Sequence, residues 1–396
     1  MKIVHVSTYP SLDKSRAMDG VRSYTEQLVT NMELSTLDKM YVLADQLEAP
    51  ESYTDRTVEI IRCYKRNSPL YAFQIYKQIK KLQPDIVHFQ QELSLYGNVL
   101  TAYLLQWLFF KLRNRTVIVT VHAAVSLKAI DRDFIKANNS SLPVWLVKIA
   151  FRIIYKPLCR WAKAIIVHEN EFKHRLVSEY GVRDSKITVI PHGVPSLTRL
   201  AKTVARRNLQ IGKHQQVVLF MGYLTGYKGL DLLIEGFRHY ADTNPNSLLL
   251  IGAGPHPKFE HNQNYQREYQ RLENKARALI PAVNYRWMGF INQNELEQYF
   301  SAADVSIYPY QVVMSTSGPK AISIGHGVPF IASDLFEPLV EDKKLLFARE
   351  PEALAACVVN FFKHQAKYEQ EIQKLRTTLL WDRISALTLS LYRQNL

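Results

Sequence analysis

The chain has 396 residues, 47% of them hydrophobic and 22% charged, which is too long for one core and too apolar to leave a long disordered tail; two domains are expected. Its net charge of +14 is uneven, because residues 101–200 hold 16 Lys/Arg against 6 Asp/Glu while residues 201–396 hold 22 against 18. That concentration of cations points to a negatively charged surface or ligand near one region, and the lack of any eighteen-residue uncharged apolar run leaves no transmembrane helix to expect.

The opening MKIVHVSTYP reads as a strand and a turn and lacks the apolar core and cleavage site of a signal peptide. Short Val/Ile-rich runs then recur between helical stretches: 3–6, 40–44, 85–89, 117–121, 164–167 and 188–190. A polar, basic stretch near 198–213 follows, and the pattern restarts at 217–221, 248–251, 285–288, 305–308 and 330–332. Apolar runs of this length, bounded by Gly, Pro or charged turns, read as buried parallel strands. Two successive sets predict an α/β protein of two doubly wound, Rossmann-like domains facing across a cleft, residues 1–196 and 197–373, and the C-terminal segment 374–396 reads as a packing helix. Cys63, Cys159 and Cys357 lie far apart without ligand spacing and read as buried thiols of a reducing cytosol.

Within the first half, Asp131 and Asp133 form an Asp-x-Asp that could suggest a metal site; without βαβ context it reads as a solvated turn, and no metal ligand set is expected. Residues 145–163 read WLVKIAFRIIYKPLCRWAK. Lys148, Arg152, Lys156 and Arg160 recur every fourth residue and so share one helical face, with Trp and aliphatic residues between them. Such a helix suits a membrane interface, with WLFFKLRNR at 107–115 as a second basic-aromatic patch. The competing reading is a helix buried against the sheet whose exposed face happens to be basic. Pro157 should bend or divide this helix. No nucleic-acid motif accompanies the basic residues.

In the second half, Val305 to Tyr308 runs through a turn to Ser317-Gly318-Pro319, a helix-like segment, and another strand from Val328 to Ala332. A helix that starts at glycine with Pro in its first turn presents free amides and a positive dipole end, which suits a phosphate.

The order GYLTGYKGLDLLIEGF (222–237), LLLIGAGP (248–255), MGFINQNELEQYFSAADVSIYPY (288–310) and SGPKAISIGHGVPFIASD (317–334), preceded by IPHGV (190–194), resembles the family 4 glycosyltransferases of the two-domain GT-B fold. The resemblance implies a retaining, metal-independent transferase that takes a sugar from a nucleoside diphosphate sugar. It implies no cofactor, a C-terminal domain that holds the nucleotide, an N-terminal domain that holds the acceptor, here read as lipid-linked or a glycan, and a C-terminal helix packing back on the N-terminal domain. By the same resemblance Lys228 would meet the leaving diphosphate and His122, after the strand 117–121, would lie near the transferring sugar. Gly20, Tyr223, Phe290, Ser317 and Gly318 complete the expected donor set. Read from the residues alone, Lys228 could instead be an exposed surface lysine, His122 a structural histidine, and Asp19-Gly20 a tight turn. Tyr223 stands where the family commonly has Arg, and Met314 and Ile322 stand where it commonly has two Glu. The expected activity is sugar transfer in surface-glycan or glycolipid assembly at the cytosolic face of an anionic membrane. The alternatives are a catalytically silent subunit supporting a partner transferase, or a sugar-nucleotide epimerase, for which acidic residues near the cleft are not found.

Overall fold

The computed structural model describes residues 1–11, 20–33, 38–92, 95–97, 101, 103–137, 142–254, 262–292, 294–311, 317–336 and 343–396. Its chain divides into two α/β units: Met1–Gly193 with Trp381–Leu396, and Val194–Val313 with Ser317–Leu380. The division thus falls at Gly193/Val194, three residues before the expected boundary.

In the first unit eight strands form one sheet: β1 (Lys2–Val6), β2 (Lys39–Asp45), β3 (Glu51–Asp55), β4 (Val58–Tyr64), β5 (Ile86–Gln91), β6 (Thr116–Val121), β7 (Ala164–Val167) and β8 (Ile187–Val189). Their order is β3-β4-β2-β1-β5-β6-β7-β8, parallel throughout except for the β3–β4 hairpin. Helices α1 (Gly20–Thr30), α2 (Tyr71–Leu82), α3 (Leu104–Lys111), α4 (Arg132–Ala137), α5 (Val144–Arg160) and α6 (Asn170–Tyr180) connect them. The second unit holds a six-stranded, wholly parallel sheet of order β11-β10-β9-β12-β13-β14. Its strands are β9 (Gln216–Tyr223), β10 (Ser247–Gly254), β11 (Tyr285–Trp287), β12 (Val305–Tyr308), β13 (Phe330–Ser333) and β14 (Leu346–Phe347). Its helices are α7 (Lys202–Asn208), α8 (Leu230–Thr243), α9 (Gln263–Leu279), α10 (Leu296–Ala302), α11 (Gly318–Gly325), α12 (Pro351–Lys363) and α13 (Gln365–Leu379). The central strands are buried along nearly their whole length, as β1, β5, β6, β10 and β12 show, because helices cover both faces of a parallel sheet.

All eleven expected strands form, with ends shifted by at most three residues. Three more appear that the apolar-run pattern misses. Strand β4 alternates inward and outward residues, with Arg62 on the buried side; Arg62 is held by Asp45 and Glu51 and by carbonyls of Tyr9 and Pro10. Strand β3, ESYTD, is a polar edge strand, and β14 is only two residues long.

Pro157 does not divide α5, which runs unbroken from Val144 to Arg160. A proline here leaves the carbonyl of residue 153 without its helical donor. The Gln106 side chain supplies one instead, its Nε2 donating to the Ile153 carbonyl at 3.0 Å. The expected terminal segment 374–396 is helical but split. Leu380 is extended (φ −57°, ψ 145°) and bridges Val194, whose N–H donates to the Leu379 carbonyl at 2.8 Å. The last helix, α14 (Trp381–Gln394), therefore belongs to the first unit. Trp381 packs edge-on to Tyr24, and Ser385 Oγ donates to the Leu28 carbonyl. Cys63 and Cys159 are half-buried and Cys357 buried; all three are free thiols.

Candidate functional site

The richest polar arrangement of the second unit lies at the carboxyl ends of β9, β10 and β12, where ligands gather in open α/β sheets. Gly222, near the end of β9, has φ +144°, and a Cβ there would collide with the ammonium of Lys228 and stand 3.5 Å from Cγ of Pro319. The lysine can therefore fold back over bare backbone towards the start of α11. One short turn, Gly226–Lys228, carries it, and Gly229 follows in the left-handed region (φ +70°) to cap α8. Any side chain at Gly229 would enter the Pro309 carbonyl. This close approach joins the lysine loop to the segment after β12: the Gln311 N–H donates to the Tyr227 carbonyl at 2.6 Å, and Tyr227 meets Tyr310 edge-on at 5.8 Å.

Lys228 is only 7% exposed, so it is not the exposed surface lysine that its local sequence allows. Its Nζ makes no hydrogen bond or ion pair among the described residues, and burial lowers its pKa to about 8. A buried cation without a partner is unfavourable until an anion arrives.

Ser317 caps α11. Its Oγ accepts the Lys320 N–H at 3.3 Å and bonds the Tyr310 hydroxyl at 2.9 Å, while the Tyr308 hydroxyl donates to the Pro319 carbonyl at 2.9 Å. The serine oxygen expected to hold a diphosphate is thus engaged in setting the helix start. What the helix end still offers is the Gly318 amide, exposed and without a hydrogen bond among the described residues, facing space where nothing lies within 4 Å of a would-be Cβ. Tyr223 and Phe290 stack at 5.8 Å and 15°, with Phe290 53% exposed and leaning over Gly254, so they form an aromatic plate at the same carboxyl end of the sheet. Ile322 is half-buried against the core and brings no polar group, while Asp19 and Met314 lie outside the described residues.

In the first unit, His122 does stand at the end of β6, but inside a polar layer. Its Nε2 is 2.8 Å from Gln90 Oε1 and its Nδ1 3.2 Å from His168 Nε2; His168 Nδ1 is 3.0 Å from the Ile190 carbonyl. Tyr24 lies edge-on over His122 at 4.6 Å and also touches His168, His192 and Trp381. Burial drives His122 well below the usual histidine range and His168 down to about 4, so both stay neutral. With both nitrogens engaged, the His122 side chain holds strand ends together. His5 and His88, register partners on β1 and β5, continue the layer; the Tyr392 hydroxyl lies 2.5 Å from His88 Nδ1 and 3.3 Å from His5 Nε2.

Gly20 opens α1, exposed and with open space beside it. On α5, Arg152, Lys156 and Arg160 are exposed and Lys148 is half-buried. Asp131 is exposed and caps α4 through the Phe134 N–H at 2.8 Å, the solvated turn expected of it. The structure brings Tyr223, Lys228, Phe290, Ser317 and Gly318 to the carboxyl end of one sheet, and Gly20 and His122 belong to the other unit. Sequence reasoning missed Gly222, Gly229 and Tyr310. The Gly-Tyr-Leu-Thr-Gly-Tyr-Lys-Gly run carried the signal, since glycines flanking a lone lysine suggest close backbone approach.

Residues 20–196 match the sequence model described as Glycosyltransferase Family 4, and residues 215–364 that described as Glycosyl transferases group 1. Among curated proteins the chain is similar to mannosylfructose-phosphate synthase of Agrobacterium fabrum, 24% identical over 234 residues (54% of this chain, 49% of the relative). It is also similar to D-inositol 3-phosphate glycosyltransferase of Corynebacterium aurimucosum, 25% identical over 238 residues (57% and 50%). The chain spans about half the length of these relatives. Among solved structures, sucrose-phosphate synthase from Thermosynechococcus elongatus superposes with a TM-score of 0.74 at 17% identity, covering 99% of this chain and 98% of that one. Anabaena HepE in complex with UDP gives 0.69 at 14%, covering all of both chains.

Proposed function

Because this chain belongs to the family 4 glycosyltransferases of the GT-B fold, we propose that it moves a sugar from a nucleoside diphosphate sugar to an acceptor hydroxyl with retention at the anomeric carbon. The observation that carries this reading is Lys228: a buried ammonium, unpaired among the described residues, beside the open N-terminus of α11. When the bond from the anomeric carbon to the diphosphate oxygen breaks, its electron pair and new negative charge settle on the diphosphate. The Lys228 ammonium and the α11 amide end are fixed in advance to stabilise that charge. The acceptor oxygen forms the new bond on the same face of the sugar, and its proton passes to the departing diphosphate. The step uses the protein's own cations and amides and proceeds without a resident metal. The Tyr223–Phe290 plate offers a surface on which the base can stack. Solved relatives with UDP and UDP-glucose support a uridine donor. In this reading the second unit holds the donor and the first the acceptor.

For the acceptor, the cationic, aromatic-rich α5 supports a lipid-linked or glycan substrate met at the cytosolic face of an anionic membrane, the enzyme sitting on the surface; no described helix is long and apolar enough to cross one. A second reading, a small phosphorylated acceptor, is favoured by the names of the mannosylfructose-phosphate and inositol 3-phosphate relatives. The silent-subunit reading draws on Ile322 and Tyr223, which replace groups the family commonly uses. A thermal-shift panel of UDP, GDP, ADP and their sugars tests the donor site. A ligand at a hundred times its Kd stabilises the fold by about 2.7 kcal/mol. No shift with any of them removes the donor pocket and leaves the silent subunit.

A further inference from the structure

Helix α2 packs against α3, and α3 against α5. Tyr76 meets Trp107 edge-on at 5.7 Å, Gln106 holds the Ile153 carbonyl, and Phe110 meets Trp161, at the end of α5, at 5.7 Å. The outer side of this three-helix layer is unusual in two independent ways. First, the helices carry eight Lys/Arg and no Asp or Glu, and none of the eight pairs with a carboxylate among the described residues. Elsewhere in the same unit carboxylates are present: α1 carries Glu26, and α6 carries Glu171 and Glu179. Second, six of the eleven exposed large hydrophobic residues described sit here: Leu70 (60% exposed) at the cap of α2, Phe73 (56%), Trp107 (36%), Phe110 (45%), Trp145 (63%) and Ile149 (40%). Cations and rings are interleaved, with Lys111 over Trp107 at 5.8 Å and the Arg113 guanidinium over Phe110 at 4.4 Å.

From these observations we propose that α2, α3 and α5 together form a seat for an anionic lipid bilayer, with the exposed rings entering among the headgroups and the cations held at phosphate level. The inference rests on the surface-bound reading above and extends it, moving the contact from one amphipathic helix to a carboxylate-free layer of three. Large apolar side chains on a folded surface call for a partner that removes them from water. Unpaired cations among them select a partner whose charge is negative and spread over an area. An anionic bilayer meets both demands; a nucleic acid meets only the second.

The test is sedimentation of the full chain with vesicles of phosphatidylglycerol and phosphatidylcholine, against vesicles of phosphatidylcholine alone. The variant Phe73→Ser/Phe110→Ser alters α2 and α3 and leaves α5 intact. Its partitioning onto the anionic vesicles should fall at least tenfold, and Arg152→Glu/Lys156→Glu should fall as far. Both should keep the parent's thermal shift with nucleotide, which reports the donor site separately and shows the variants folded. Bromine-labelled lipid should quench the parent's tryptophan fluorescence, and less so after Trp107→Phe/Trp145→Phe. If the Phe73→Ser/Phe110→Ser variant binds anionic vesicles as the parent does, the three-helix seat is overturned and only α5 remains. If the parent sediments without vesicles as a dimer that the same variant dissociates, the layer is a self-interface and the proposal is overturned as well. A parent that seats on vesicles yet shows no nucleotide shift would sink the donor assignment while leaving this inference standing.

Discussion

Replacing Lys228 with Met keeps an unbranched side chain one atom shorter and removes its charge, which separates stability from function at the donor pocket. Burial lowers the Lys228 pKa from 10.5 to about 8, so at pH 7 the folded protein carries a cation that the unfolded chain solvates better. At 1.36 kcal/mol per pKa unit the shift corresponds to at most about 3 kcal/mol of lost stability. The sign follows from proton counts: between pH 8 and 10.5 the unfolded lysine binds more protons than the folded one, so stability rises with pH across that window. Below pH 8 both states are charged and the full cost applies. Lys228→Met should therefore raise the melting temperature at pH 7 by up to about 6–12 °C, at about 2–4 °C per kcal/mol for a unit of this size. The same change should remove the nucleotide-induced shift and lower turnover by about 100-fold or more, since the fixed charge is aimed at the leaving group. Scanning calorimetry with and without nucleotide, on parent and variant, reads both effects. A variant that melts lower than the parent would mean that the ammonium makes a stabilising contact, and a variant still stabilised by nucleotide would move the donor pocket elsewhere.

Nucleotide affinity measured by titration calorimetry should be flat below pH 8 and weaken by up to tenfold per unit above it, because Lys228 must then take up a proton to meet the diphosphate; equal affinity at pH 7 and 9.5 would contradict this. His5 and His168, held near 3 and 4 by burial, bind fewer protons folded than unfolded, so stability should fall as pH drops below 6.5, by about 2 kcal/mol for each at pH 5. Spectroscopic unfolding between pH 7 and 4.5 checks it, and a constant midpoint would refute it. Gly318→Val, whose side chain would enter open space, should shift melting little yet abolish the nucleotide response; a retained response would show that the phosphate does not approach this amide. Gln106→Ala should cost about 1–3 kcal/mol by orphaning the Ile153 carbonyl, and Pro157→Ala in that background should recover most of it. Denaturant titrations of the four proteins complete the cycle, and additive effects would refute the exchange of donors.

The parallel strands were legible because a strand covered on both faces must be apolar along its whole length, as TVIVTV and SLLLIGAG are. The β3–β4 hairpin was not, since its stability comes from Arg62 meeting Asp45 and Glu51 from distant positions, which no local run reveals. Likewise the continuity of α5 through Pro157 depends on Gln106, fifty-one residues earlier. At the site, Lys228 and Gly318 stood out by their glycine-rich and proline-marked settings. The roles of Ser317 and His122 did not follow from type and position, because both depend on partners: Tyr310 and Lys320 for one, Gln90 and His168 for the other.

The first unit is discontinuous in sequence, and this has a consequence for biosynthesis. Residues 1–193 leave the ribosome first, yet Tyr24 lacks Trp381, and His88 lacks the Tyr392 hydroxyl, until the last helix has been made. At roughly 5–20 residues per second that interval lasts on the order of 10–40 s. Throughout it, the middle of the first sheet waits with its neutral histidines and Tyr24 uncovered, while residues 194–380 emerge as a unit able to complete its own core. The later unit can therefore finish folding before the earlier one. The nascent chain spends that time with residues 381–396 as the missing piece, which leaves the opening half exposed to holding chaperones.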